Sequence, residues 1–188
     1  MNNPTNCSKK TVPIYILASQ TGTILSKIIQ RITKETYSHV SISLDSSLEK
    51  TYSFGRIFPR NPVYGGFVKE SPYHGVFKLF KDTKIKLIRV DVAEETYNKA
   101  KKILEEMYQQ RKEYGYNYIG LITAFWDKSH PSEKRFYCSE FVRDILVNTD
   151  ILKPELFREV AKPNDFAELD VGESIFEGYL RDYICLQN

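Results

Sequence analysis

The hydrophobic positions of this chain change period along its length, and the changes mark out its elements. Residues 12–18, Val-Pro-Ile-Tyr-Ile-Leu-Ala, form a short apolar run that predicts a buried strand. Over residues 21–32 the period turns helical. Ile24, Leu25, Ile28, Ile29 and Ile32 share one face, and Thr21 or Thr23 can cap the start. From His39 to Leu44 apolar and small polar residues alternate, which predicts a strand. Asp45-Ser46-Ser47 reads as a turn and residues 48–54 as the returning strand of a hairpin. Residues 55–66, holding Gly, Pro, Asn and Arg, read as a long loop, and such loops in compact domains often carry function. Residues 67–68 and 75–80 read as short strands and residues 85–90 as a full one.

The second half is more helical. Across residues 94–111, Tyr97, Ala100, Leu104 and Met107 recur at helical spacing with Lys and Glu on the opposite face. That stripe predicts a long amphipathic helix packed on the core. Residues 114–126 are aromatic and apolar and read as a second helix. Residues 138–147 follow a polar loop and place Phe141, Val142, Ile145 and Leu146 on one face of a further helix. Residues 153–169 read as short helices and loops around Pro154 and Pro163, and residues 175–186 as a closing strand pair. Strands and helices are partly segregated, which argues for an α+β fold rather than a doubly wound sheet. The expected architecture is an antiparallel sheet packed against the helix at 138 and the long amphipathic helix. No repeat or linker divides the chain. Residues 1–10 read as a disordered tail and residues 11–188 as one domain.

Composition narrows the function. Twenty-seven basic and 24 acidic residues give a net charge of +3, and no basic stripe interleaves with aromatics, so nucleic acid is not expected as a partner. No apolar run approaches the ~20 residues of a membrane span. Three cysteines, Cys7, Cys138 and Cys185, do not make a disulfide framework and point to a reducing compartment, the cytoplasm. No cluster of Cys and His has zinc spacing, and phosphate-loop, zinc-protease and serine-hydrolase signatures are absent, so neither metal nor cofactor is expected.

The chemistry concentrates at Cys138, in Phe-Tyr-Cys-Ser-Glu-Phe-Val, where an aromatic run gives way to a helix. A thiol on a first helical turn faces unsatisfied N–H groups and the positive end of the helix dipole, a setting that favours thiolate. The backbone N–H groups of Cys138 and Ser139 are placed to receive an oxyanion. His39 opens a strand whose neighbours Ser41 and Ser43 are small and leave room for a ring. His74 and His130 read as surface residues. A thiol–imidazole pair needs a third group to orient the ring. Glu49, Thr51 and Ser53 on the returning strand share the histidine face by parity, and Ser53 is preferred because Glu49 lies next to the turn.

The segments Tyr-Ser-His-Val-Ser-Ile-Ser-Leu-Asp and Phe-Tyr-Cys-Ser-Glu-Phe-Val resemble the NlpC-type branch of the papain-like superfamily. More narrowly they resemble its circularly permuted group, the YiiX-like proteins and relatives of lecithin-retinol acyltransferase. His39 precedes Cys138 by 99 residues, the permuted order, and Lys-Pro-Asn-Asp-Phe at 162–166 resembles the proline-containing segment after the cysteine helix. The resemblance implies a permuted papain-like fold with Cys138 as nucleophile and His39 as base. Where the family carries a third polar residue on the strand after the histidine, often His or Glu, this chain offers Thr51, Tyr52 or Ser53. The implied activity is hydrolysis of an amide, ester or thioester in a peptide-like or acyl-bearing substrate. Acyl transfer and a non-catalytic binding module on the same fold remain open, as does the oligomeric state.

Overall fold

A computed structural model describes residues 10–21, 35–61, 63–124 and 126–187. The expected tail lies outside these residues apart from Lys10, whose carbonyl accepts from the Glu94 N–H. The expected helix at 21–32 lies outside them apart from Thr21.

Strands β1 (Thr11–Gln20), β2 (His39–Ser43), β3 (Thr51–Arg56) and β4 (Gly65–Glu70) are followed by a short helix, α1 (Gly75–Leu79). Next come β5 (Lys84–Ala93), the long helix α2 (Glu94–Gln109), β6 (Gly115–Tyr116) and α3 (Tyr118–Ala124). The chain closes with β7 (Arg135–Phe136), α4 (Cys138–Asn148), α5 (Pro163–Glu168), β8 (Glu173–Tyr179) and α6 (Leu180–Gln187). The eight strands form one sheet in the order β7-β6-β4-β3-β2-β1-β5-β8.

The fold is α+β, and the sheet is mixed rather than wholly antiparallel. Its β6–β7 pair runs parallel, joined through Gly115↔Arg135 and Tyr116↔Phe136. The parallel pair arises because the chain between them contains α3, a crossover that a tight hairpin turn cannot supply. Residues 75–80 form α1 rather than a strand. Gly75, the first residue of this helix, has φ +64°, a left-handed value that glycine adopts without a Cβ penalty after the turn at 71–74. Residues 175–186 are one strand and one helix, not a strand pair, and Leu180 N–H donates to Thr83 O where strand gives way to helix. Gly172, at φ +69°, turns the chain into β8, and a Cβ there would collide with the Arg89 carbonyl.

Both faces of the central strands are covered, which explains why residues 14–18 of β1 are buried without interruption instead of alternating. On one face Ile14, Ile16, Val40 and Ile42 pack with Ala100 and Leu104 of α2 and with Val142, Ile145 and Leu146 of α4. On the other, Tyr15, Leu17, Ile85 and Leu87 pack with Phe77 of α1 and with Leu180 and Tyr183 of α6. The long helix and the cysteine helix therefore pack on one side of the sheet. Phe141 of α4 fixes the second of these. Its ring lies 5.3 Å from Phe54 on β3 and 5.2 Å from Phe67 on β4. Each such pair contributes about 1 kcal/mol beyond simple burial. The contacts sit one turn after Cys138 and hold the start of α4 over the sheet. Among the described residues no helix is long and apolar enough to cross a membrane.

Candidate active site

Strand pairing gathers the polar groups. Ser43 of β2 pairs with Thr51 of β3, and Thr51 in turn pairs with Glu70 of β4. Directly paired residues project from one face, and residues two apart along a strand do so as well. His39, Ser41, Ser43, Thr51, Ser53 and Glu70 accordingly share a face. A carboxylate is long enough to reach across it. Glu70 Oε1 lies 3.0 Å from His39 Nε2, and Ser41 Oγ donates to Glu70 Oε2 at 2.5 Å. Ser41 Oγ is also 3.3 Å from Nε2. Burial disfavours the Glu70 anion, but the charge and hydrogen bond of His39, with the Ser41 hydroxyl, hold its pKa below the usual carboxylate range. An ionised carboxylate only accepts, so Nε2–H is the donor. Nδ1 is then the ring nitrogen left for Cys138.

The third group expected at Ser53 is thus displaced by one strand. Ser53 is fully buried, but its Oγ makes no hydrogen bond of good geometry. It lies close enough to Glu70 to help lower that carboxyl's pKa, and the group on the ring is Glu70. Thr51 Oγ1 is committed to the Leu48 carbonyl at 2.9 Å. Glu49 is exposed, as are His74 and His130.

Two opposing effects act on His39. Burial disfavours its charge, and the Glu70 carboxylate together with hydrogen bonds to Cys138 and Glu70 favours it. The outcome is a pKa raised to about 10. The ring is held between a carboxylate and a thiol, with only 17 % of its side chain exposed.

Cys138 is the first residue of α4 and is 3 % exposed. Tyr137 before it is extended, at φ −101° and ψ 168°, so the chain turns into the helix at the cysteine itself. The first-turn N–H groups have no acceptor within the helix. Glu140 folds back onto the turn and accepts from Tyr137 N–H at 3.3 Å and from Asn117 Nδ2 at 3.5 Å. Burial raises the Glu140 pKa to about 7 against those two hydrogen bonds, which lower it. Its carboxyl faces Tyr137 and Asn117. Asn117 also donates to His130 O and accepts from Gly120 N–H, both at 2.8 Å, so one buried amide joins α4, α3 and the loop at 130. Ser139 Oγ donates to Ala161 O at 2.8 Å and ties the helix start to the segment entering α5.

A small cleft of about 40 Å³ is lined in part by Cys138, with Glu35 and Ser38 among its polar lining. Ser139, Tyr116 and Tyr137 line it beside the cysteine. Leu121 and Ala124 of α3 and Ala161 and Pro163 near α5 supply apolar wall. Lys162 in the same wall pairs with Asp127 at 2.8 Å, linking the two walls. His39 is not part of the lining. Burial raises the Tyr116 phenol far above its ordinary value, with Cys138 and the neighbouring phenols adding to the rise.

Of the residues expected from sequence, His39 and Cys138 are brought together and Ser139 lies beside the thiol, while Glu70, Tyr116 and Asn117, which surround them, were not among those expected. The parity that selected Ser53 extends by one more strand to Glu70, but Lys69-Glu70-Ser71 looks like the end of a loop until the β3–β4 register is known. Among the described residues no group of three or more His, Cys, Asp or Glu is placed to hold a metal ion. Comparisons of this chain with protein-family models, with curated proteins and with solved structures found no match.

Proposed function

We propose that this protein is a cysteine hydrolase of the permuted papain-like type, with Cys138 as nucleophile, His39 as acid and base, and Glu70 as the group that orients His39. One observation carries the reading: a buried imidazole bracketed by a carboxylate and by a thiol on the first turn of a helix. The raised pKa of His39 favours a resting pair in which the ring already holds the proton. The sulfur attacks the carbonyl carbon of an amide, ester or thioester. The oxyanion that forms is received by the N–H groups of Cys138 and Ser139. His39 then gives its proton to the departing amine, alcohol or thiol as the carbonyl re-forms, leaving an acyl thioester on Cys138. Neutral His39 takes a proton from water, whose oxygen attacks the thioester. The tetrahedral intermediate collapses, expelling the Cys138 thiolate and releasing the acid, and His39 keeps the proton it took from the water, which restores the starting pair. The apolar walls around Leu121, Ala124 and Ala161 suit an acyl or apolar side chain.

The test is iodoacetamide labelling across pH, read by peptide mass spectrometry, with exposed Cys185 as internal reference. It is followed by incubation with p-nitrophenyl acyl esters. Cys138 is expected to label faster than Cys185 despite its burial. That speed is expected to vanish in His39→Ala, and an acyl adduct is expected on the Cys138 peptide, absent from Cys138→Ser. The 3 % exposure of Cys138 favours the other reading, a non-catalytic module on the same scaffold. Slow labelling that does not depend on His39, with no adduct, selects that module and rejects the hydrolase.

A further inference from the structure

The helix that walls the cleft is apolar on both sides. Gly120 and Ala124 of α3 are buried, and Leu121 and Ala124 line the cleft. On its outer side Ile119 and Ile122, three apart, are 60 % and 53 % exposed, and Trp126, in the turn just past the helix, is 68 % exposed. The β3–β4 loop continues this surface. Tyr118 donates from its hydroxyl to the Val63 carbonyl, which fastens the loop to the helix. Val63, Phe58 and Tyr64 are each more than half exposed, and the last two meet edge to face at 6.1 Å. A monomer does not ordinarily leave so many large apolar and aromatic side chains together in water.

Charge tells what covers this face. The two segments, Ile-Phe-Pro-Arg-Asn-Pro-Val-Tyr at 57–64 and Tyr-Ile-Gly-Leu-Ile-Thr-Ala-Phe-Trp-Asp-Lys at 118–128, contain one carboxylate, Asp127. That carboxylate is matched by Lys162. Arg60 and Lys128 are exposed and make no ion pair among the described residues. An apolar surface carrying Trp, Tyr and Ile, whose two segments hold two unpaired cations and no unpaired anion among the described residues, matches the headgroup region of a bilayer. There aromatic rings settle at the boundary and basic side chains meet anionic lipid.

We propose that this face docks the protein on anionic lipid bilayers, with the mouth of the Cys138 cleft next to the membrane. The docking stands on the exposed face alone. That it delivers an acyl-bearing substrate to Cys138 rests on the hydrolase reading above.

The experiment is sedimentation of the full chain with phosphatidylcholine vesicles and with phosphatidylcholine–phosphatidylglycerol vesicles. Analytical ultracentrifugation without lipid runs alongside, and Cys138 labelling checks that each variant is folded. The protein is expected to pellet with the anionic vesicles. Ile119→Asp with Ile122→Asp is expected to abolish pelleting while leaving Cys138 labelling as it was. Arg60→Gln with Lys128→Gln is expected to weaken anionic binding roughly 30-fold, about 5-fold for each basic residue at such a surface. No pelleting overturns the proposal, as does equal binding to both vesicle types. A concentration-dependent dimer that the Ile119→Asp, Ile122→Asp variant abolishes, with no vesicle binding, assigns the face to a second copy instead. Inert Cys138 alongside normal pelleting removes the hydrolase and leaves the docking.

Discussion

Replacing Glu70 with Gln removes the charge beside His39 and keeps the length and shape of the side chain. The expected effect follows from the titration of His39. In an unfolded chain the ring titrates near 6.5, and in the fold near 10. At 1.36 kcal/mol per pH unit, that difference stabilises the fold by about 4 kcal/mol at pH 7. Because the folded value is the higher one, this stability is fully present below pH 6.5 and is lost as pH rises through 10. Glu70 behaves in the opposite sense. Its folded pKa is lowered, so its share is present above the ordinary carboxylate range and is lost as pH falls through the lowered value. Removing the carboxylate also removes the cost of burying it. The net loss is then on the order of 3 kcal/mol, in the range found when one partner of a buried ion pair is deleted. Urea unfolding of wild type and Glu70→Gln at pH 6, 7, 8, 9 and 10 measures it, and the comparison cancels every titration the two proteins share. The stability gap is expected to be about 3 kcal/mol at pH 6–7, to shrink by roughly 1 kcal/mol per pH unit and to close near pH 10. A gap that stays constant from pH 6 to 10, or a gap below about 0.5 kcal/mol at pH 7, refutes the charged His39–Glu70 pair.

Three further substitutions separate the site from its surroundings. Ser53→Ala removes a buried hydroxyl with no well-formed hydrogen bond, so Cys138 labelling should change less than about 2-fold and stability by about 0.5 kcal/mol at most. A large loss of labelling would return the orienting role to Ser53. Asn117→Ala leaves the Gly120 N–H and the His130 carbonyl without their partner, and thermal unfolding should show a loss of about 1–3 kcal/mol, with faster proteolysis of the loop at 127–134. Gly172→Ala forces a Cβ against the Arg89 carbonyl at positive φ, and denaturant unfolding should show a loss of at least about 1–3 kcal/mol with the pH dependence of Cys138 labelling intact.

The parts of this fold that local pattern controls were readable along the chain. The alternation from His39 to Leu44 became β2, and the stripe through Tyr97, Ala100 and Leu104 became α2. The break after Tyr137 became the start of α4. What local pattern does not control was misread. Residues 75–80 carry Val and Phe, which suit a strand, but five of them form a helix whose Phe77 fills the second core against Leu180. Residues 180–186 lost their strand reading the same way: Leu180 and Tyr183, three apart, are a helical pair that only the second core requires. At the site, the two residues whose chemistry is intrinsic, a thiol and an imidazole, could be found by type and setting. Glu70 could not, because an acid at a strand end looks solvated until the register of three strands brings it to a histidine 31 residues earlier in the chain.

The separation of His39 from Cys138 also bears on how the protein reaches its native state. The imidazole comes with β2 and the carboxylate with β4, but the thiol arrives 99 residues after the histidine, on a helix that seats only when Phe141 meets Phe54 and Phe67. Contacts between residues so far apart close large loops, and chains dominated by them fold in milliseconds to seconds rather than microseconds. Until that closure Cys138 is open to solvent, and afterwards 3 % of it is. A pulse of thiol reagent during refolding therefore dates the assembly of the centre separately from the assembly of the sheet.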